Sequence, residues 1–126
     1  MIPKFRAYDS GSYTRMYEPY EVMVGDGDIW VINEDDDGGW IVNNDLHLMQ
    51  STGLTDKDGK EIFEGDVVKM AKNVYSAPTY YEVVRHRGGA YRLESKQYGC
   101  ELWLRHADCE IAGNIYENPE LAEVSS

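Results

Sequence analysis

The side chains with most scope for chemistry are three histidines, two cysteines and a large excess of carboxylates, 23 Asp and Glu against 12 Lys and Arg. His106 and Cys109 form a His-x-x-Cys pair, a spacing that suits a thiol with its base or half of a metal site. Nothing completes either site. There is no Cys-x-x-Cys, and Cys100, His86 and His47 supply no second pair at matching spacing. Both cysteines therefore read as small apolar residues. Asn33, Asp35, Asp37 and Gly38 match positions 1, 3, 5 and 6 of a calcium loop. Position 12 is Asn44, where such a loop needs a bidentate Glu, and the flanks read as strands. A solvated acidic turn is the better reading. The chain has no Gly-x-Ser-x-Gly, no phosphate-cradling Gly-Lys loop and no His-Glu-x-x-His. The expectation is a protein without catalytic residues, cofactor or metal, and hence not an enzyme.

Charge is segregated along the chain. Residues 1–68 carry 15 acids and 5 bases, whereas residues 69–105 carry 7 bases and 3 acids. The basic stretch is also aromatic, and small β-barrels bind single-stranded nucleic acid by stacking bases and neutralising phosphates. Arg85, Arg87, Arg92, Lys96 and Arg105 would meet the phosphates, and Tyr81, Tyr91 and Trp103 the bases. Against this, the net charge of −11 repels a polyanion. Pairing of these bases with the acidic half of the molecule, or of a neighbouring subunit, is favoured over nucleic-acid binding.

The elements that must position these residues are short. Residues 2–8 read as a strand, and 16–20, interrupted by Pro19, as an edge or irregular segment. Residues 21–24 and 29–32 form a hairpin around Gly25-Asp26-Gly27-Asp28. Strands follow at 40–42 and 46–50. Asp56-Lys57-Asp58-Gly59-Lys60 is a hairpin turn between Leu54 and Ile62, because Asp bonds its own backbone and Gly59 admits positive φ. Gly65-Asp66 makes a second corner into the β-branched Val67-Val68. Residues 79–86 alternate with a period of two. Gly88-Gly89 turns that strand into 90–94. Cys100, Leu102 and Leu104 are expected on one face of the next strand, with Glu101, Trp103 and Arg105 opposite. Residues 110–115 read as a last strand. Asn118-Pro119-Glu120 then starts a short helix, with Asn118 as cap and Pro119 at its first position.

Three blocks together resemble the YopX family of phage and prophage proteins. The middle block is Met-Gln-Ser-Thr-Gly-Leu-Thr-Asp-Lys-Asp-Gly-Lys-Glu-Ile-Phe-Glu-Gly-Asp-Val-Val over residues 49–68. Lys4-Phe5-Arg6-Ala7-Tyr8-Asp9 is similar to the family's opening, with Tyr8 where Trp is usual. Gly113-Asn114-Ile115-Tyr116-Glu117-Asn118-Pro119-Glu120-Leu121 is similar to its ending. The resemblance implies a small, mostly β protein of viral or prophage origin, and it carries over no active site.

Close-set strands with Gly and Asp turns predict an all-β domain. Residues 51–126 hold enough strands for a small SH3-like barrel with a C-terminal helical turn, and residues 1–50 add β-hairpins packed on it. At 126 residues the two regions form one compact unit. Ten Tyr and three Trp against two Phe suit half-wet surfaces. The expected role is a non-enzymatic interaction module that binds a protein partner, including further copies of itself as a homo-oligomer. No apolar run reaches the length of a membrane span, and no signal-peptide core follows Met1, so a cytoplasmic protein of a bacterial host is expected.

Overall fold

The computed structural model describes residues 3–11, 14–35, 38–71, 75–96 and 98–124. The fold is all-β apart from short helical turns. The chain divides into two units, Met1–Ser51 and Thr52–Ser126.

The first unit runs through β1 (Phe5–Asp9), β2 (Arg15–Tyr17), β3 (Val22–Gly25), β4 (Asp28–Asn33), β5 (Gly39–Val42) and the first half of β6 (His47–Thr55). Strand β1 lies between β2 and β6 and is antiparallel to both. Pro19 ends the extended run after β2 and begins a 3-10 turn, Pro19–Glu21, where a missing N–H leaves no bond unmade. Strands β3, β4 and β5 form a separate antiparallel sheet in that order. Its two connections lie at opposite ends of β4, at Asp26-Gly27 and at residues 34–38. The core of this unit is Ala7, Val22, Val31 and Leu46, with Phe5, Tyr17, Ile29 and Leu48 packed around them.

The second unit takes the end of β6, then β7 (Glu61–Phe63), β8 (Asp66–Met70), β9 (Thr79–Arg85), β10 (Tyr91–Glu94) and β11 (Gly99–Glu101). After these come a one-turn helix α1 (Leu102–Arg105), β12 (Glu110–Asn114) and α2 (Pro119–Val124). Five of the strands make an antiparallel sheet in the order β11-β10-β9-β8-β12. A four-strand meander, β8 to β11, followed by a fifth strand, β12, that returns to pair with β8 is the order expected of a small SH3-like barrel, here a curled half-barrel. The hairpin turn before β7 forms as expected, with Gly59 at φ 81°. Ile62, Val68, Met70, Tyr81, Val83, Leu93, Leu102 and Cys109 fill the core.

The C-terminal block depends on a missing side chain. Strand β12 carries a bulge between Ile111 and Gly113. A Cβ at Gly113 would sit 2.3 Å from Asn118 Oδ1, so only glycine lets Asn118 close over the strand. There Asn118 Oδ1 accepts the Asn114 N–H at 3.3 Å, and its backbone carbonyl accepts the Leu121 N–H at 3.0 Å at the start of α2. Asn114 Oδ1 in turn accepts the N–H groups of Tyr116 at 3.0 Å and Glu117 at 2.8 Å.

One expected strand is corrected. Residues 102–105 are helical, and β11 stops at Glu101. Leu102 is fully buried, while Trp103 and Leu104 are 64% and 59% exposed. The His106 N–H closes the turn on Leu102 O. A 3-10 turn, His106–Asp108, follows and returns Cys109 to the core at 0% exposure. Leu-Trp-Leu-Arg is too short to separate a period of two from one of 3.6. A continued strand would place Leu102 and Leu104 on one face; the helical turn sends them apart.

This register has a measurable consequence. Leu102→Ala is expected to cost about 3 kcal/mol in chemical denaturation, as for a core leucine. Leu104→Ala is expected within about 0.5 kcal/mol of the parent, as for a surface site. Equal losses would restore the strand.

Candidate functional site

The sheet β3-β4-β5 is apolar on both faces. Cross-strand partners share a face. Val22, Val31 and Ile41 stand opposite one another and form one face, whose first two members lie in the core of the first unit, while Ile41 and Val24 at its margins are each 44% exposed. Met23, Trp30 and Val42 form a row on the other, joined by the pair Ile32 and Trp40. That outer face is open: Met23 is 45% exposed, Val42 44% and Trp40 39%. Trp30 is half-buried, its indole N–H donating to Gly25 O at 3.1 Å. An antiparallel sheet with one wet face normally alternates apolar with polar residues. Here the outer positions are Met, Trp, Ile, Trp and Val.

Acids stand at both ends of this face. Asp26 and Asp28 flank the β3–β4 turn, and Glu34 and Asp35 follow β4. The Arg15 guanidinium bonds Glu21 at 2.8 Å and also Glu34, and it stacks 4.3 Å from the Tyr17 ring. A hollow of about 370 Å³ opens at the Glu34 end, lined by Ile32, Asn33, Glu34, Gly38, Gly39 and Trp40. Two side chains at calcium-loop positions, Asn33 and Asn44, have other work. Asn33 Oδ1 accepts the Asp35 N–H at 3.1 Å. Asn44 Oδ1 accepts the Ile29 N–H, and its amide donates to Asp28, both at 2.8 Å. Asp37 lies outside the described residues. Among the described residues, no group of three or more His, Cys, Asp or Glu is placed to hold a metal ion.

In the basic segment, two of the five expected phosphate partners are engaged by neighbouring acids. Arg92 Nη1 donates to Glu101 Oε1 at 2.6 Å, with Glu94 also close to its Nε at 3.7 Å. Arg105 Nε donates to Asp108 at 3.1 Å. Arg85 stands opposite Tyr91 across β9–β10 and bonds its hydroxyl, while burial raises the Tyr91 pKa. Arg92 and Arg105 thus take acidic partners from their own neighbourhood. Tyr81 is 1% exposed and belongs to the core. Lys96 and Trp103 are exposed; the side chain of Arg87 lies outside the described residues.

His106 and Cys109 take separate partners. The His106 Nδ1–H donates to Thr55 O at 2.8 Å. The Cys109 thiol donates to Arg105 O at 3.3 Å and lies 3.9 Å from Met70 Sδ. Burial, with Cys100 nearby, pushes the Cys109 pKa up to about 12, so it stays a thiol at neutral pH.

A buried carboxylate organises the second unit. Asp56 Oδ1 accepts the N–H groups of Asp58 and Lys60, each at 2.9 Å, closing its own turn. Its Oδ2 accepts the Ile111 N–H at 3.0 Å and so ties that turn to β12. Burial alone would raise its pKa; the three N–H groups and the Lys60 charge outweigh this and hold it below the usual carboxylate range. Asp66 is 1% exposed and does the same locally, accepting the Phe63 N–H at 2.8 Å.

The family model for YopX protein matches residues 4–123. The chain belongs to the YopX family. The crystal structure of protein EF1440 from Enterococcus faecalis is similar, with a TM-score of 0.66 and 29% identity over 97% of this chain and 99% of that one. The crystal structure of protein yopX from Bacillus subtilis has a TM-score of 0.63 and 21% identity, covering 94% of this chain and 96% of that one, and shares the fold. No curated protein sequence matches the chain. The YopX middle block thus contains Asp56 and Asp66, and the C-terminal block contains the Gly113–Asn118 closure; both have structural roles. The outer face of β3-β4-β5 lies between the quoted blocks. Sequence reading by motif missed it. The signal was the unbroken apolar runs Ile29-Trp30-Val31-Ile32 and Trp40-Ile41-Val42, which suit strands covered on both sides.

Asp56→Asn keeps the size of the side chain but replaces one acceptor by a donor, and it is expected to cost about 2–3 kcal/mol at neutral pH. The folded-state pKa of Asp56 is depressed, so its contribution is full above the unfolded carboxylate value of about 4 and is lost as pH falls through the lower folded value. The gap between parent and variant in urea midpoints is therefore expected to hold constant from neutral pH down to about 5 and to close below about 4. A pH-independent gap would refute the assignment.

Proposed function

We propose that this protein is a non-enzymatic interaction module that works by binding another protein through the outer face of β3-β4-β5. One observation carries the reading: five apolar side chains, two of them tryptophan, share a sheet face on which Met23, Trp40 and Val42 stand exposed and Trp30 and Ile32 are half-buried. Leaving such a face in water is costly, and faces of this kind mark interaction sites. Trp is the residue type most enriched at the energetic centre of interfaces. The buried, protonated Cys109 and the separate partners of His106 supply no reactive pair, which supports a binding role. The family resemblance adds a phage or prophage setting, with the partner in the host cytoplasm.

Capture from a bacterial lysate, compared between variants, tests this. Trp40→Lys is expected to lose a protein that the parent retains, with about 30-fold weaker binding, as for removal of a hot-spot residue. Trp103→Lys, on the exposed turn α1, is expected to retain it. Far-ultraviolet circular dichroism confirms that both variants fold. Capture that survives Trp40→Lys and fails with Trp103→Lys would move the interface to the second unit.

A further inference from the structure

From the edge strand and the charge around it, we infer that the occupant of this face is an extended, basic segment of a partner protein, added as a fourth strand alongside β5. The inference rests on the reading above and says what binds and how. Strand β5 pairs with β4 on one side and ends the sheet on the other. Natural edges are guarded by charge, proline or bulges. Strand β5 is Gly-Trp-Ile-Val, with none of these, and its register with β4 steps evenly from Gly39 to Val42. A strand laid beside it would gain backbone hydrogen bonds, and its alternate side chains would lie next to Trp40 and Val42 on the apolar face.

Charge decides between a foreign strand and a second copy. Residues 1–51 hold ten acids and three bases. Two copies joined antiparallel along β5 would set the Glu34 and Asp35 end of one against the Asp28 and Asp45 end of the other, and like charges across an interface repel. A segment with Lys or Arg at its ends would meet acids at both. The hollow beside Trp40 fits such a side chain, with Ile32 and Trp40 along the aliphatic stem and, near its head, the Glu34 carboxylate, which is 63% exposed and shares one oxygen with Arg15.

Selection from a random displayed-peptide library against the full chain, with the folded Trp40→Lys chain as counter-target, tests this directly. Recovered peptides are then titrated as synthetic peptides by fluorescence anisotropy at low and high salt. The expected binders alternate apolar with polar residues, carry net positive charge, and weaken about tenfold or more in high salt. They lose binding when alternate backbone amides are N-methylated, because the added strand then lacks its donors. Trp40-dependent binders that are acidic, that show helical spacing, or that tolerate N-methylation would overturn the inference and leave the interaction module standing. Failure to recover any Trp40-dependent peptide would remove both. Sedimentation closes the remaining case: a dimer of the parent chain that Trp40→Lys dissolves would install a second copy on the face and overturn the inference.

Discussion

The second unit depends on one carboxylate. Asp56 and Ile111 are 55 residues apart, and a single side chain spans them while also closing the turn at Asp58 and Lys60. A buried acid is costly unless backbone donors surround it, and here three do. The turn before β7 and the bulged strand β12 are each weak by themselves, a few residues long with little apolar cover. Joined through Asp56, they close the half-barrel over Ile62, Val68 and Leu102. The aspartate of the middle block and the glycine of the C-terminal block thus act on the same strand, one accepting from Ile111 and the other making room for Asn118.

The first unit is built on a different principle. Its small core of Ala7, Val22, Val31 and Leu46 uses one side of β3-β4-β5, and the other side repeats the same apolar chemistry towards water. Acidic turns stand at each end of that surface, and their like charges raise the cost of bringing two copies together along it. The proposed basic segment would meet its apolar contacts and its acidic partners on that same face.

Much of the chain was legible in advance because its turns are chemically explicit. Asp26-Gly27 and Asp56–Lys60 announce hairpins, and Pro119 announces a helix start. The strand expected through Leu104 was not, because four residues carry no period, and tertiary packing of Leu102 chose the helix. The surface called basic and aromatic was legible only as composition. Arg92 and Arg105 found acids nearby, and Tyr81 went inward, since period-two alternation shows that a strand has two faces without showing which one the core takes.

Sequence alone determined the all-β class, the family and the places where the chain reverses, because local backbone preferences of Gly, Asp and Pro act over a few residues and need no distant partner. Tertiary structure decided the rest. It took the fold to bring Asp56 against Ile111, to leave Gly113 bare beneath Asn118, and to bury Val22 and Val31 while Met23, Trp40 and Val42 stay exposed. Burial is a property of what lies opposite a residue in space, and that is settled only when strands far apart in the chain have met.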